Sequence, residues 1–225
     1  MHLAALLALA LAGEAAPAAA PPVEPPATRA ATKVLQVLES MQNGMKETRY
    51  AHRTYIRARD GVFEMDCSAM AAWVIRRSAP IARSALTRER PVARDFYDVI
   101  RQAPLRGDRQ GWRRLASIGE VRPGDVFAWR RPPDFPSANT GHVGFVLAAA
   151  EPAPGWPGAY LLRIADATSL PHQDDSRDPG GEGGFGQGTI LFLADESGEG
   201  TAYGWFGAAS RGVIATPIAF GRLIR

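Results

Sequence analysis

The feature that most constrains this chain is a change of hydrophobic period near Pro123-Gly124-Asp125. Before it, apolar residues recur mainly at helical spacing. Val34, Leu35, Val37, Leu38, Met41 and Met45 predict a helix over about 30–48. Cys67, Met70, Ala71, Val74 and Ile75 share a face of a second helix, closed by Arg76 and Arg77. Two more helices are predicted over 84–103 and 108–117, with Phe96, Val99 and Ile100 facing inward. Between the first two, Asp60-Gly61 separates Thr54-Tyr55-Ile56 from Val62-Phe63, a hairpin-like signal. After Asp125 the pattern becomes strand-like. Short apolar or alternating runs cover 126–129, 142–148, 160–165, 189–194, 202–206 and 213–220, parted by Gly, Pro and Asp. Helices first and strands later predict an α+β fold built on an antiparallel sheet.

The amino terminus has a different character. Leu3 to Ala12 reads LAALLALALA, followed by small-x-small sites. That fits a secretory signal over 1–20 and is too short for a membrane span, which needs roughly 20 apolar residues. Residues 21–29 read as the end of a Pro/Ala-rich linker and 30–225 as one folded domain. Export to the periplasm or medium is expected, with no integral membrane segment after signal cleavage. Residues 49–131 hold eighteen arginines against nine acids, while 132–225 hold five against ten. The arginines are scattered along helical faces and not interleaved with aromatics, which argues against nucleic-acid binding and for a solvated basic face.

Only one cysteine occurs, Cys67, so no internal disulfide is available. It follows Asp66, a good N-cap, and so falls in the first turn of a helix. A helix N-terminus favours a thiolate and leaves backbone N–H groups free for an oxyanion. Downstream, His142 opens an apolar strand between Gly141 and Gly144, which permit close approach of another segment. A lone Cys with a downstream His outlines a thiol nucleophile and its base. Such a pair needs a third group to hold the imidazole. Asp166, ending Leu161-Leu162-Arg163-Ile164-Ala165, has the right type and position, though it equally suits an Asx-turn with Thr168 and Ser169.

Three motifs in order resemble those of the NlpC-type cell-wall cysteine peptidases, papain-like enzymes related to the CHAP amidases. They are Asp66-Cys67-Ser68, Arg122-Pro123-Gly124-Asp125-Val126-Phe127 and Gly141-His142-Val143-Gly144, within about 48–170. The resemblance implies a papain-like fold in which the nucleophile helix packs on an antiparallel β-sheet. It implies hydrolysis of amide bonds, with peptidoglycan stem peptides as substrate and no cofactor, and Ser68 beside the nucleophile is a candidate for oxyanion or substrate contact. It also implies a tyrosine near the oxyanion, for which Tyr55 is the candidate and Tyr50 the alternative. Ala69 replaces the usual Gly, the double glycine after the tyrosine is missing, and the His lies 75 residues beyond the Cys. The last departure predicts a helical insertion over 76–120. An amidase or acyltransferase on the same dyad, or an inactive cell-wall or partner-binding domain, are the competing readings.

Other signals carry less. His172-Gln173-Asp174-Asp175 with Asp178 lies in a loop without a second His, so no metal ion is predicted there. His172 and Arg177 are candidates for substrate contacts. Arg76 and Arg77 are candidates for holding substrate carboxylates. Gly181-x-Gly183-x-x-Gly186 leads into a strand, not a helix, and therefore lacks the context of a dinucleotide fingerprint.

Overall fold

The computed structural model describes residues 24–208 and 210–225. The first half contains α1 (Arg29–Gly44), β1 (Glu47–Tyr50), β2 (Tyr55–Arg57), β3 (Val62–Met65) and α2 (Cys67–Ser78). α3 (Pro80–Ser84), α4 (Ala93–Gln102), β4 (Trp112–Arg114) and a 3-10 turn at Ile118–Glu120 follow. The second half is β5 (Val126–Arg130), β6 (Gly141–Val146), β7 (Glu151–Pro152), β8 (Ala159–Thr168), β9 (Gly184–Ala194), β10 (Gly200–Gly204) and β11 (Val213–Leu223). The expected signal at 1–20 lies outside the described residues. Where the linker ends, Thr28 caps α1: its hydroxyl accepts from Ala31 N–H at 3.0 Å and donates to the Leu223 carbonyl at 2.7 Å.

Six antiparallel strands run in the order β10-β9-β8-β6-β5-β11, and β11 pairs back onto β10, closing a barrel. β4 extends this sheet beyond β11, and β7 pairs with β8. A separate small sheet, β1-β3-β2, pairs β1 and β3 in parallel. This corrects the expected papain-like helix-on-sheet α+β fold: the molecule is mostly strand, and its sheet closes on itself.

The physical reason is visible in β5. Val126 and Ala128 alternate with Phe127 and Trp129, and all four are buried. In an open sheet covered on one side, one of those faces would meet water. Here the first face packs outward against α2 and α4, with Met70, Val74, Phe96 and Ile100. The second face fills the barrel with Phe127, Trp129, Leu162, Ile190, Phe192 and Phe220. Linear order alone does not reveal closure, which depends on β10 meeting β11.

The stretch 76–120 is mixed and not the expected helical insertion. It holds the end of α2, α3 and α4, but 108–117, expected as helix, is a turn followed by β4. Asp108 Oδ1 accepts from Gly111 N–H at 3.0 Å, and Gln110 takes a positive φ of 50°, which ends any helix there. Trp112 then fixes the strand by burying its ring and donating Nε1–H to the Ala82 carbonyl at 2.7 Å. Among the described residues, no helix is long and apolar enough to cross a membrane.

Candidate active site

One end of the barrel holds His142 and Asp166, and the strand alternation puts them there. Trp129 faces His142 across the β5–β6 ladder, so both side chains share the inner face. Asp166 follows Leu162 and Ile164 at alternate positions of β8, which turns its carboxylate to the same face. The consequence is a buried contact: His142 Nε2 lies 2.7 Å from Asp166 Oδ2. The His142 ring also packs against Trp129 and Trp205, with centroids 5.0 and 5.4 Å away.

Cys67 reaches this end from outside the barrel. β3 runs through Asp66 straight into α2, and Asp66 Oδ1 caps the helix by accepting from Ala69 N–H at 2.8 Å. The Ser68 hydroxyl donates to the same oxygen at 2.8 Å, so this side chain supports the cap and does not line the cleft. Cys67 and His142 do line one cavity, of about 280 Å³. The cleft thus lies where the first turn of α2 meets the mouth of the barrel.

Electrostatics around the thiol differ from the sequence expectation. Burial pushes the Cys67 thiol pKa up, and the Asp66 charge pushes it the same way. The N–H groups of Val143 and Ser68 oppose this and are outweighed. The helix N-terminus therefore does not produce a resting thiolate. Cys67 rests as a thiol in a cavity shared with His142, whose Nδ1 has no hydrogen-bond partner among the described residues.

Behind His142 stands a set of ionic contacts. Asp166 Oδ2 also receives His172 Nε2 at 2.9 Å, and Asp166 Oδ1 is paired with the Arg177 guanidinium. Arg177 donates further to the Asp166 carbonyl at 2.7 Å, the Gly184 carbonyl at 2.8 Å and Asp175 Oδ2 at 2.7 Å. Burial alone would raise the Asp166 carboxyl, but Arg177 and then His172 outweigh it and hold the carboxyl well below its usual range.

The protonation of His172 follows from its partners. Nδ1 faces the Trp205 carbonyl at 3.0 Å, an acceptor only. Nε2 faces an ionised carboxylate, also an acceptor only. Both nitrogens must carry hydrogen, so His172 is an imidazolium. Its pKa is raised accordingly: burial opposes the charge, while the Asp166 charge and hydrogen bond prevail. Two carboxylates, Asp166 and Asp175, thus balance two cations, Arg177 and His172. His142 shares Asp166 Oδ2 with His172.

This corrects two expectations. His172 and Arg177 are buried and hold Asp166 from behind; neither lines the cleft. What seats them is a trough on β9. A Cβ at Gly186 would sit 2.6 Å from Arg177 Cγ, and one at Gly188 would sit 2.6 Å from Asp175 Oδ2 and 2.7 Å from His172 Cβ. Of the glycines read above as a failed nucleotide motif, Gly186 makes room for this loop, joined by Gly188.

Of the two candidate tyrosines, Tyr50 and not Tyr55 lies at the cavity. Tyr55 is 46% exposed and outside the cavity. Tyr50 pairs with Met65, two residues before Cys67, and lines the cavity. Burial pushes its phenol pKa up, with the charge of a Cys67 thiolate adding to it. Arg76 and Arg77 lie at the far end of α2 from the thiol, and Arg77 stacks on Trp73 at 3.6 Å. The arginines at the cleft are Arg131 and Arg211, neither singled out by the sequence.

His142, Asp166 and His172 place one ligand-type atom each within 4.8 Å of one another, the group best able to hold a cation. A metal there would have to displace the Nε2 protons of both histidines and compete with Arg177 for the carboxylate.

Among known proteins, the chain is similar to an uncharacterized protein of Acanthamoeba polyphaga mimivirus. The two are 27% identical over 180 residues, covering 70% of this chain and 77% of that protein. No family model matches the chain. No solved structure matches it.

Proposed function

We propose that the chain is a cysteine hydrolase that cleaves amide bonds through Cys67, His142 and Asp166. The observation that carries this reading is the orientation of His142. Its Nε2 is tied to a buried carboxylate while Nδ1 is left unpartnered in a cavity shared with the only thiol of the chain. This is the arrangement of base and orienter that a nucleophile requires.

In the proposed reaction the substrate carbonyl enters above the first turn of α2. His142 Nδ1 takes the Cys67 proton as sulfur adds to the carbonyl carbon, and Asp166 steadies the imidazolium that forms. The N–H of Cys67, unpaired at the helix start, and the Tyr50 hydroxyl support the oxyanion. His142 then gives its proton to the leaving amine. Water resolves the thioester, with His142 as base, and releases the acid.

The three ordered motifs similar to those of NlpC-type enzymes support the reaction class and suggest peptidoglycan stem peptides as the first substrates to test. The proposal takes the chemistry from that resemblance, not the fold. The test is release of new amino groups from peptidoglycan fragments and from short acyl amides. Cys67→Ala and His142→Ala should each lower turnover at least about a thousandfold. Undiminished release by Cys67→Ala would refute the reading.

A further inference from the structure

The cavity beside Cys67 combines an apolar, largely aromatic wall with a polar side that carries Ser137, Asn139 and Thr168. Trp129, Phe135, Leu170, Tyr203, Trp205 and Ile214 line it, and among the described residues no acidic side chain does. The aromatic part is built: Tyr203 stacks on Trp129 at 4.2 Å, and Trp205 stacks on His172 at 4.1 Å while donating Nε1–H to the Pro171 carbonyl at 3.1 Å. These contacts fix the ring planes before any ligand arrives. Two cations share the lining. Arg131 is held by its bond to the Phe135 carbonyl at 2.8 Å, and neither Arg131 nor Arg211 has a carboxylate partner among the described residues.

At roughly 30 Å³ per water-sized group, about 280 Å³ holds some nine such groups. That is too large for the methyl side chain of an alanine and suited to a phenyl group or a chain of six to eight carbons. We infer that this cavity is the acyl-group pocket, and that the acyl donor carries an apolar aromatic or medium-chain aliphatic group ending in an anion. The inference rests on the cysteine-hydrolase reading above. The apolar portion displaces water from the rings of Trp129, Tyr203 and Trp205, and the anion meets Arg131 and Arg211 at the rim.

Aldehydes test this without knowledge of the leaving group. The Cys67 sulfur adds to the aldehyde carbon while the thiol proton passes to the aldehyde oxygen, giving a reversible hemithioacetal that blocks alkylation by iodoacetamide. Protection is measured by intact mass on the whole chain with acetaldehyde, hexanal, 3-phenylpropanal and 6-oxohexanoate. Hexanal and 3-phenylpropanal should protect at concentrations at least about tenfold below acetaldehyde, since each buried methylene adds severalfold. 6-Oxohexanoate should surpass hexanal, and Arg211→Glu should reverse that order. Leu170→Asp, at a position 47% exposed, should weaken protection by hexanal.

Equal protection by acetaldehyde and hexanal, with alkylation still slowed by His142→Ala, would overturn the acyl pocket and leave the Cys–His reading standing. An unchanged preference for 6-oxohexanoate in Arg211→Glu would overturn the anion site. Alkylation indifferent to His142→Ala would remove the catalytic reading, and the pocket with it.

Discussion

Replacing Asp166 by Asn tests the charge assignment at the barrel mouth. The wild-type carboxylate is fully buried and accepts from His142, His172 and Arg177. The asparagine side chain keeps the shape but supplies one acceptor oxygen and an NH2 that opposes donors. The local balance moves from zero to one excess positive charge, and removing one partner of a buried pair costs about 3–5 kcal/mol. In a chain of this size, roughly 2–4 °C is lost per kcal/mol, so Tm should fall by about 6–20 °C.

The pH dependence makes the test specific. In the wild type the His172 pKa is raised, so its stabilising contribution is full below the unfolded value of about 6.5 and is lost as pH rises through the folded one. The Asp166 pKa is depressed, so its contribution is full above about 3.9 and lost as pH falls through the folded value. In Asp166→Asn the His172 cation loses its counter-charge and its pKa falls. The gap in stability between the two proteins should therefore be widest near pH 5 and narrower at pH 8, as the His172 contribution declines above its unfolded pKa. Urea unfolding at both pH values measures it. A gap that does not change between pH 5 and 8 would refute the imidazolium assignment for His172.

Gly186→Ala places a Cβ 2.6 Å from Arg177 Cγ and 2.8 Å from Nε, and overpacking of this kind costs about 1–3 kcal/mol. Urea denaturation should show the loss, and turnover should fall with it because Asp166 loses its support. Tyr50→Phe should lower kcat by about a hundredfold or more if its hydroxyl serves the oxyanion, whereas Tyr55→Phe should leave kcat unchanged. Equal effects would reject the assignment. EDTA should leave amide hydrolysis unchanged and excess zinc should inhibit it, by displacing the Nε2 protons at His142 and His172; a stoichiometric metal whose removal abolishes turnover would contradict the hydrogen-bonded arrangement.

What was legible in the sequence was local. Asp66 before Cys67 announced a capped helix, and Gly141-His142 announced a strand start, because capping and close approach depend on immediate neighbours. Asp166 was legible as the polar residue ending an apolar run. The choice between Tyr50 and Tyr55 was not, since it is made by the parallel pairing of β1 with β3. Nor were the roles of His172 and Arg177. Both were expected to contact substrate, and the glycine trough on β9 instead seats them against the Asp166 carboxylate. Barrel closure rests on the same kind of remote pairing, between Tyr203 and Ile214 and their neighbours.

The buried ions behind His142 gain a purpose from their balance. A carboxylate with a single partner could take the His142 proton back or swing toward solvent. Asp166 cannot, because Arg177 and His172 occupy it from the other side and Asp175 offsets Arg177 in turn. The proton on Nε2 stays where it is, and the ring presents only Nδ1 to incoming chemistry. Burial raises the Cys67 thiol pKa, so the proposed reaction couples proton transfer to substrate entry. In the proposed reaction two tasks are separate: a fixed ionic cluster sets the direction of the base, and the occupied cavity supplies the occasion for its use.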